Sequence, residues 1–276
     1  MASSSSAPEP SRTVAILLGA SRWEKHAAID DEKMQPAYEA AARRVRGYLR
    51  SERGLGLPER NILDLFDSKN ASIDQDSEIR VFLRRQVSNE IATCSDILFY
   101  FIGHGTTNRD GRFVFVLRST ERDRLEQTVY RARDLAEALK REAPSQRYWL
   151  LLDCCASAKA FVDFQPSRSV YDVLQSDTND FLAPSGTALF AACSSDGVAL
   201  VDVKAGIPVF TSALMNVLDR GDRELGEMLT LSEIARLTQA EIGSTLGPEG
   251  IRPRAVQRYG MTRSLSRLST PARAAR

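Results

Sequence analysis

Five short runs most constrain how this chain folds: TVAILLGAS (13–21), NILDLF (61–66), DILFYFIGHG (96–105), RYWLLLDCC (147–155) and TALFAACSS (187–195). They are rich in strand-forming residues and apolar on both faces, so both faces of each strand need a cover. Helical patterns fill the gaps between them. Residues 35–52 end at Gly54; Ile79, Phe82, Leu83 and Val87 share one helix face; Ala132, Leu135, Ala136 and Leu139 recur at i, i+3, i+4 and i+7. Thr230 and Glu233 are spaced as a capping box for a helix running to about residue 242. Strand and helix alternating in this way predict an α/β sandwich, a mostly parallel central sheet with helices on both faces. GRFVFVLR (111–118) interrupts the alternation and reads as an added β-hairpin arm.

Composition narrows the class. The chain has 276 residues, 43% hydrophobic and 26% charged, enough to bury one sizeable core. Its 37 Lys and Arg nearly balance 36 Asp and Glu, so no whole-chain field draws it to nucleic acid or to an anionic membrane. No run approaches the roughly 18 apolar residues of a membrane span, and MASSSSAPEPSR lacks the apolar centre of a signal peptide. The expected location is cytoplasmic. Four cysteines, at 94, 154, 155 and 193, show no C-x-x-C spacing and read as reduced thiols, with Cys94 and Cys193 as core packing. The expected organisation is a disordered tail over 1–12, one domain over 13–260 and a basic tail over 261–276.

Two of the five runs break off at reactive side chains. FYFIGHG (99–105) reaches His104 and LLLDCCAS (150–157) reaches Cys154 and Cys155, in a chain with only two histidines. Ligand sites in parallel sheets lie beyond the carboxyl ends of the strands. Neighbouring strands there bring an imidazole and a thiol within reach, and the imidazole then takes the thiol proton. Zinc fits less well, because no second His or Cys pair stands at ligand spacing. A nucleotide-binding domain would need a glycine-rich phosphate cradle, and neither G-x-G-x-x-G nor G-x-x-x-x-G-K-[ST] occurs.

With IGHG at 102–105 and DCCASA at 153–158 in this order, residues 13–260 resemble the caspase and metacaspase clan of cysteine peptidases, in particular the compact caspase-like peptidases of bacteria. Metacaspases typically carry SGHG and DCCHSG. The separation of 51 residues between His104 and Cys155 is similar to the about 50 of caspases. The resemblance implies a caspase-like three-layer sandwich, with His104 as general base and Cys155 as nucleophile. It also implies an oxyanion hole built from the backbone N–H groups of Gly105 and Cys155. Cys155 is preferred to Cys154 because the family pattern puts the nucleophile second, and strand alternation then turns Cys154 into packing. Ala156 and Ala158 stand where metacaspases usually have His and Gly, neither of them part of the dyad.

Specificity hangs on Asp153, which matches the metacaspase acid lining the pocket for the residue before the cut and so implies Arg or Lys there. Asp30 and Asp31, in the loop after the first strand, are candidates for a second pocket acid. Asp110, Glu121 and Asp123 are interleaved with Arg and make a poor calcium cage, so no metal and no other cofactor is expected. The expected partners are protein or peptide substrates. No sensor domain is evident, so the resemblance adds an activating sensor protein or small signal molecule, as in bacterial stress and anti-phage systems. Residues 156–186 are a candidate processing linker, with Arg168 the expected cleavage site. The alternative is a catalytically inactive caspase-like interaction scaffold, which the presence of both dyad residues disfavours.

Overall fold

A computed structural model describes residues 8–88, 94–154, 187–192, 201–202, 205–222, 225, 228–246 and 267–269. The first half runs β1 (Thr13–Gly19), α1 (Gln35–Arg50), β2 (Ile62–Phe66), α2 (Ser72–Val87), β3 (Asp96–Ile102), β4 (His104–Thr107) and β5 (Phe113–Val116). It continues with α3 (Leu125–Thr128), β6 (Tyr130–Arg131), α4 (Ala132–Glu142) and β7 (Arg147–Asp153). The second half holds β8 (Thr187–Ala191), β9 (Val201–Asp202), β10 (Ile207–Pro208), α5 (Val209–Arg220), β11 (Met228–Thr230), α6 (Leu231–Leu246) and β12 (Arg267–Ser269). Among the described residues no helix is long and apolar enough to cross a membrane.

All five apolar runs enter one sheet, in the order β2-β1-β3-β7-β8, and every neighbouring pair is parallel. Alternation along the strands divides their side chains between two covers. Leu98, Tyr100, Trp149 and Leu151 face α1, α5 and α6, where Ala41, Val45, Leu214, Val217 and Ile234 meet them. Phe99, Phe101, Leu150, Leu152 and Cys154 face the other way, against Ile79 and Leu83 of α2 and Leu135 and Leu139 of α4. The consecutive apolar positions of the sequence thus follow from a sheet buried on both sides. At the start of α6 the capping box closes as its spacing predicts: the Thr230 N–H donates to Glu233 Oε2 at 2.6 Å, and the Glu233 N–H donates to Thr230 Oγ1 at 3.3 Å.

Several boundaries differ from the sequence reading. The run 96–105 is two strands, because the chain turns at Gly103 (φ 146°) and His104 opens β4, which pairs antiparallel with β5 through His104 and Val116. Helix α5 went unanticipated; it buries Val209, Phe210, Ala213, Leu214, Met215, Val217 and Leu218 and turns a stripe of Asn216, Asp219 and Arg220 outward. Ahead of β1, Pro10–Arg12 form a 3-10 turn rather than a loose tail, tied down where the Thr13 hydroxyl donates to Glu9 O at 2.8 Å and Ser95 N–H donates to Arg12 O at 2.8 Å. Arg267–Ser269, within the expected basic tail, pair antiparallel with β11, which satisfies backbone groups on both strands. The candidate linker 156–186 and Cys193 lie outside the described residues.

The sheet order places β1 between β2 and β3, so the chain leaves β1 toward one edge and returns on the other side of it. The carboxyl ends of β1 and β3 therefore flank the crevice in which such sheets hold their ligands. Gly19 makes that crevice: with φ 140°, a Cβ there would lie 1.9 Å from the Ile102 carbonyl oxygen. The same oxygen accepts the Ala20 N–H at 3.1 Å, so it has no freedom to retreat. Gly19→Ala is expected to destabilise the fold by at least about 2 kcal/mol, through backbone strain and displacement of β3. Chemical denaturation measures this directly, and an unchanged midpoint would contradict the packing described.

Candidate active site

The loop after β1 and the turn after β3 build the site together. Ser21 anchors the loop, its N–H and hydroxyl donating to the two oxygens of Asp67 at 2.7 Å each. Trp23 carries the loop onto the hairpin, its indole N–H donating to Val116 O at 3.0 Å. Ion pairs of Lys25 with Glu121 and of Glu24 with Arg118 add to the same seam. Within the loop, Asp30 Oδ1 accepts the Trp23 N–H at 2.9 Å and the Gln35 side-chain amide at 3.1 Å. Asp31 is exposed and accepts the Lys33 N–H at 2.9 Å. Of the two candidate pocket acids, Asp30 therefore braces the loop with one oxygen, and Asp31 caps a turn on its rim.

His104 is half-buried against this loop. Its ring lies 4.4 Å from the Trp23 ring and 5.7 Å from that of Tyr38, centroid to centroid. Nε2 stands 3.1 Å from the Ile29 carbonyl oxygen. A carbonyl oxygen only accepts, so Nε2 carries the proton and Nδ1 keeps its lone pair. Burial holds the His104 pKa below the usual imidazole value; the Ile29 carbonyl opposes that shift and His26 adds to it. At neutral pH the ring is thus a neutral base in a fixed tautomer. Gly105, the next residue, continues β4 opposite Phe115 and is half-buried.

On the neighbouring strand, the register runs to the end of the LLLD run. β3 and β7 pair from Asp96 with Arg147 to Ile102 with Asp153, and the Gly103 N–H then donates to Asp153 O at 3.2 Å. His104 thus lies two positions beyond Ile102, and Cys155 two beyond Asp153. Cys154 is fully buried in the core on the α2–α4 side, as strand alternation predicts. Cys155 and Arg168 lie outside the described residues.

Asp153 faces the opposite cover from Cys154 and is buried. Its Oδ2 accepts the Thr211 N–H at 3.1 Å and the Thr211 hydroxyl at 2.5 Å. Thr211 is the third residue of α5, so its N–H is one of the unpaired donors of a helix start, and the carboxylate supplies the missing acceptor. The Tyr100 hydroxyl lies 2.9 Å from Thr211 Oγ1 and donates to it, since the threonine proton is committed to Asp153. Asp153 Oδ1 is buried with no hydrogen-bond partner among the described residues. Burial raises the Asp153 pKa to about 6, and the two Thr211 bonds only partly offset it. Among the described residues no group of three or more His, Cys, Asp or Glu is arranged to hold a metal ion. Sequence reasoning missed Ile29, Trp23, Tyr100 and Thr211; a Pro at 208 and a Gly at 221 bracketing an apolar run were the available sign of the helix that presents Thr211.

No family model matches the chain, and no curated protein matches it at the level of sequence. Its structure is similar to the crystal structure of caspase-1 from Spodoptera frugiperda, with a TM-score of 0.57 and 10% sequence identity, covering 100% of this chain and 97% of that one. The fold is caspase-like. It is the three-layer α/β sandwich that the alternating runs predict, with the hairpin β4–β6 added at the carboxyl end of β3.

The raised pKa of Asp153 has a sign that stability measurements read. The folded state holds this proton more tightly than the unfolded chain, whose carboxyl titrates near 3.8. Its ionisation therefore destabilises the fold progressively as pH rises from about 4 through about 6, with no further change above that window. Asp153→Asn removes the titration while leaving an acceptor for Thr211. Its stability relative to the wild type should rise by about 2 kcal/mol between pH 4.5 and pH 7.5. Urea denaturation at pH 4.5 and pH 7.5 checks it; a difference independent of pH would show that Asp153 is not the buried acid described.

Proposed function

We propose that the chain is a cysteine endopeptidase of the compact bacterial caspase-like type, cutting protein substrates after Arg or Lys with a His104–Cys155 dyad. The observation that carries this reading is the fixed tautomer of His104: the Ile29 carbonyl holds Nε2–H and leaves Nδ1 as a base, two residues past Ile102, whose strand partner Asp153 stands two residues before Cys155 in the sequence. Nδ1 takes the Cys155 thiol proton, and the thiolate attacks the scissile carbonyl. Backbone N–H groups of Gly105 and Cys155 hold the resulting oxyanion. Its collapse breaks the C–N bond, the amine leaves with the proton from His104, and a thioester remains. Water, deprotonated by His104, hydrolyses the thioester and restores the thiol.

Asp153 supplies the specificity. A buried carboxylate with one unpartnered oxygen is costly alone, and a guanidinium or ammonium repays that cost by charge and by hydrogen bonding. An acidic side chain in the same place meets like charge without water to screen it. Asp30 and Asp31 stay candidates for a second contact through the oxygens that the loop leaves open. On the resemblance alone, we place the enzyme among effectors of bacterial stress or anti-phage defence, switched on by a sensor protein or small signal molecule, with Arg168 as its processing site.

The dyad and the pocket are tested together. Cys155→Ala and His104→Ala should each lower kcat/KM on fluorogenic Arg-ending peptides at least about a thousandfold, and the double variant should lose no more, because the two groups act as a unit. Cys154→Ala should keep most of the activity at a stability cost of about 1 kcal/mol. Peptides ending in Asp should remain uncut. Turnover by the Cys155 variant would remove the nucleophile assignment, and preferred cleavage after Asp would remove the pocket assignment.

A further inference from the structure

The polar groups around Asp153 go further than a bare acidic pocket. Three buried side chains from three elements form one directed chain: Tyr100 of β3 donates to Thr211 of α5 at 2.9 Å, and Thr211 donates to Asp153 of β7 at 2.5 Å. Each hydroxyl has one proton, so the direction is fixed once Thr211 Oγ1 donates to the carboxylate. The Thr211 N–H lands on the same oxygen, so Oδ2 takes both donors while Oδ1, equally buried, takes none among the described residues. A carboxylate serving only as a helix cap has no need of so lopsided a shell in a dry environment.

Resting on the basic-specific reading above, we propose that Thr211 and Tyr100 are positioning residues for substrate selection: they saturate Oδ2, fix the carboxylate plane and reserve Oδ1 for the cationic group of the substrate. Tyr100 acts at one remove. By donating to Thr211 Oγ1 it sets the threonine rotamer whose proton points at Asp153, and it polarises that hydroxyl. The other ionisable group acting here among the described residues is Arg44 of α1, whose charge favours ionisation of Tyr100. Arg44 is itself held by Asn216 at 2.7 Å and Asp219 at 3.2 Å, on the next turns of α5. Tyr100 is kept neutral by burial and then by the Asp153 charge, so it stays a donor across the working pH range. The two Thr211 hydrogen bonds favour the ionised form of Asp153 against its burial. Without the hydroxyl, the acid keeps its proton to higher pH and presents a neutral face to a cation.

The test uses the full chain with 13C-labelled aspartate side chains and Asp153→Asn to assign the signal. Thr211→Val, which keeps the N–H and the volume but removes the hydroxyl, should move the Asp153 titration midpoint up by about one pH unit. Thr211→Ser should restore it, and Tyr100→Phe should shift it upward by less. In parallel, the ratio of kcat/KM for an Arg-ending peptide to that for its neutral citrulline analogue should fall about twofold at pH 7 in Thr211→Val, as the ionised fraction of Asp153 drops from about nine-tenths to about half, and recover in Thr211→Ser. Thermal melting of each variant separates this from lost folding, since a merely structural threonine lowers the Tm without moving midpoint or ratio. An unmoved midpoint in folded Thr211→Val overturns the inference whatever the activity. A moved midpoint with no cleavage of basic peptides by the wild type supports the positioning of Asp153 and removes the peptidase reading instead.

Discussion

The site depends on one close approach of backbone, where β1 and β3 end side by side. The Ile102 carbonyl accepts the Ala20 N–H and fills the space that any side chain at 19 would need. That contact turns the β1 loop across the end of β3 instead of away from it. Gly103 makes the matching concession from the other strand: at φ 146°, a Cβ there would meet Ala20 O at 3.1 Å and the Trp23 ring at 3.3 Å. Two glycines thus let two loops cross in contact, and the crossing puts the Ile29 carbonyl within hydrogen-bond range of the imidazole. Weakening the crossing would leave the imidazole with its chemistry but without its orientation.

A carbonyl in this place has a consequence that a carboxylate would not. A carboxylate beside Nε2–H would raise the imidazole pKa and favour the charged ring. The Ile29 carbonyl fixes the same tautomer with a dipole, and burial then lowers the pKa, so the ring stays neutral. The neighbouring acid follows the opposite course from the same cause, since burial makes Asp153 a weaker acid. Low dielectric therefore pushes both groups toward their neutral forms. The helix start at Thr211 pulls only the acid back toward charge, which separates a neutral base from an ionisable carboxylate.

The sheet was legible in the sequence because its signal is local: a strand buried on both faces must be apolar at consecutive positions, and all five such runs became strands. Cys154 and the Thr230–Glu233 cap were legible for the same reason, each following from the alternation or spacing of neighbours. The end of β3 was not, since the FIGHG stretch reads as one run and only the positive φ at Gly103 divides it. Nor was α5, whose apolar residues cover most of its circumference and leave only a narrow stripe of Asn216, Asp219 and Arg220 to mark the period. Ile29 illustrates the firmest limit. Its contribution is a backbone carbonyl, which every residue carries, so no side-chain pattern announces it.

Tyr100 and Thr211 are 111 residues apart and meet only because β3 lies beside β7 and α5 packs into the core on the same face of the sheet. Tyr100 stands in the run DILFYFI, where a hydroxyl among apolar neighbours reads as one more core aromatic. Its polar end is nevertheless buried, and a buried hydroxyl needs a partner. The sequence places that demand without naming who meets it. Thr211 answers with its own hydroxyl and passes the proton direction on to Asp153, so a core residue on one strand bears on the electrostatics of the acid on the next. In a sheet this densely packed, a polar atom on an inward face is where packing and chemistry become the same constraint, and the three inward polar atoms here converge on the carboxylate with an open oxygen.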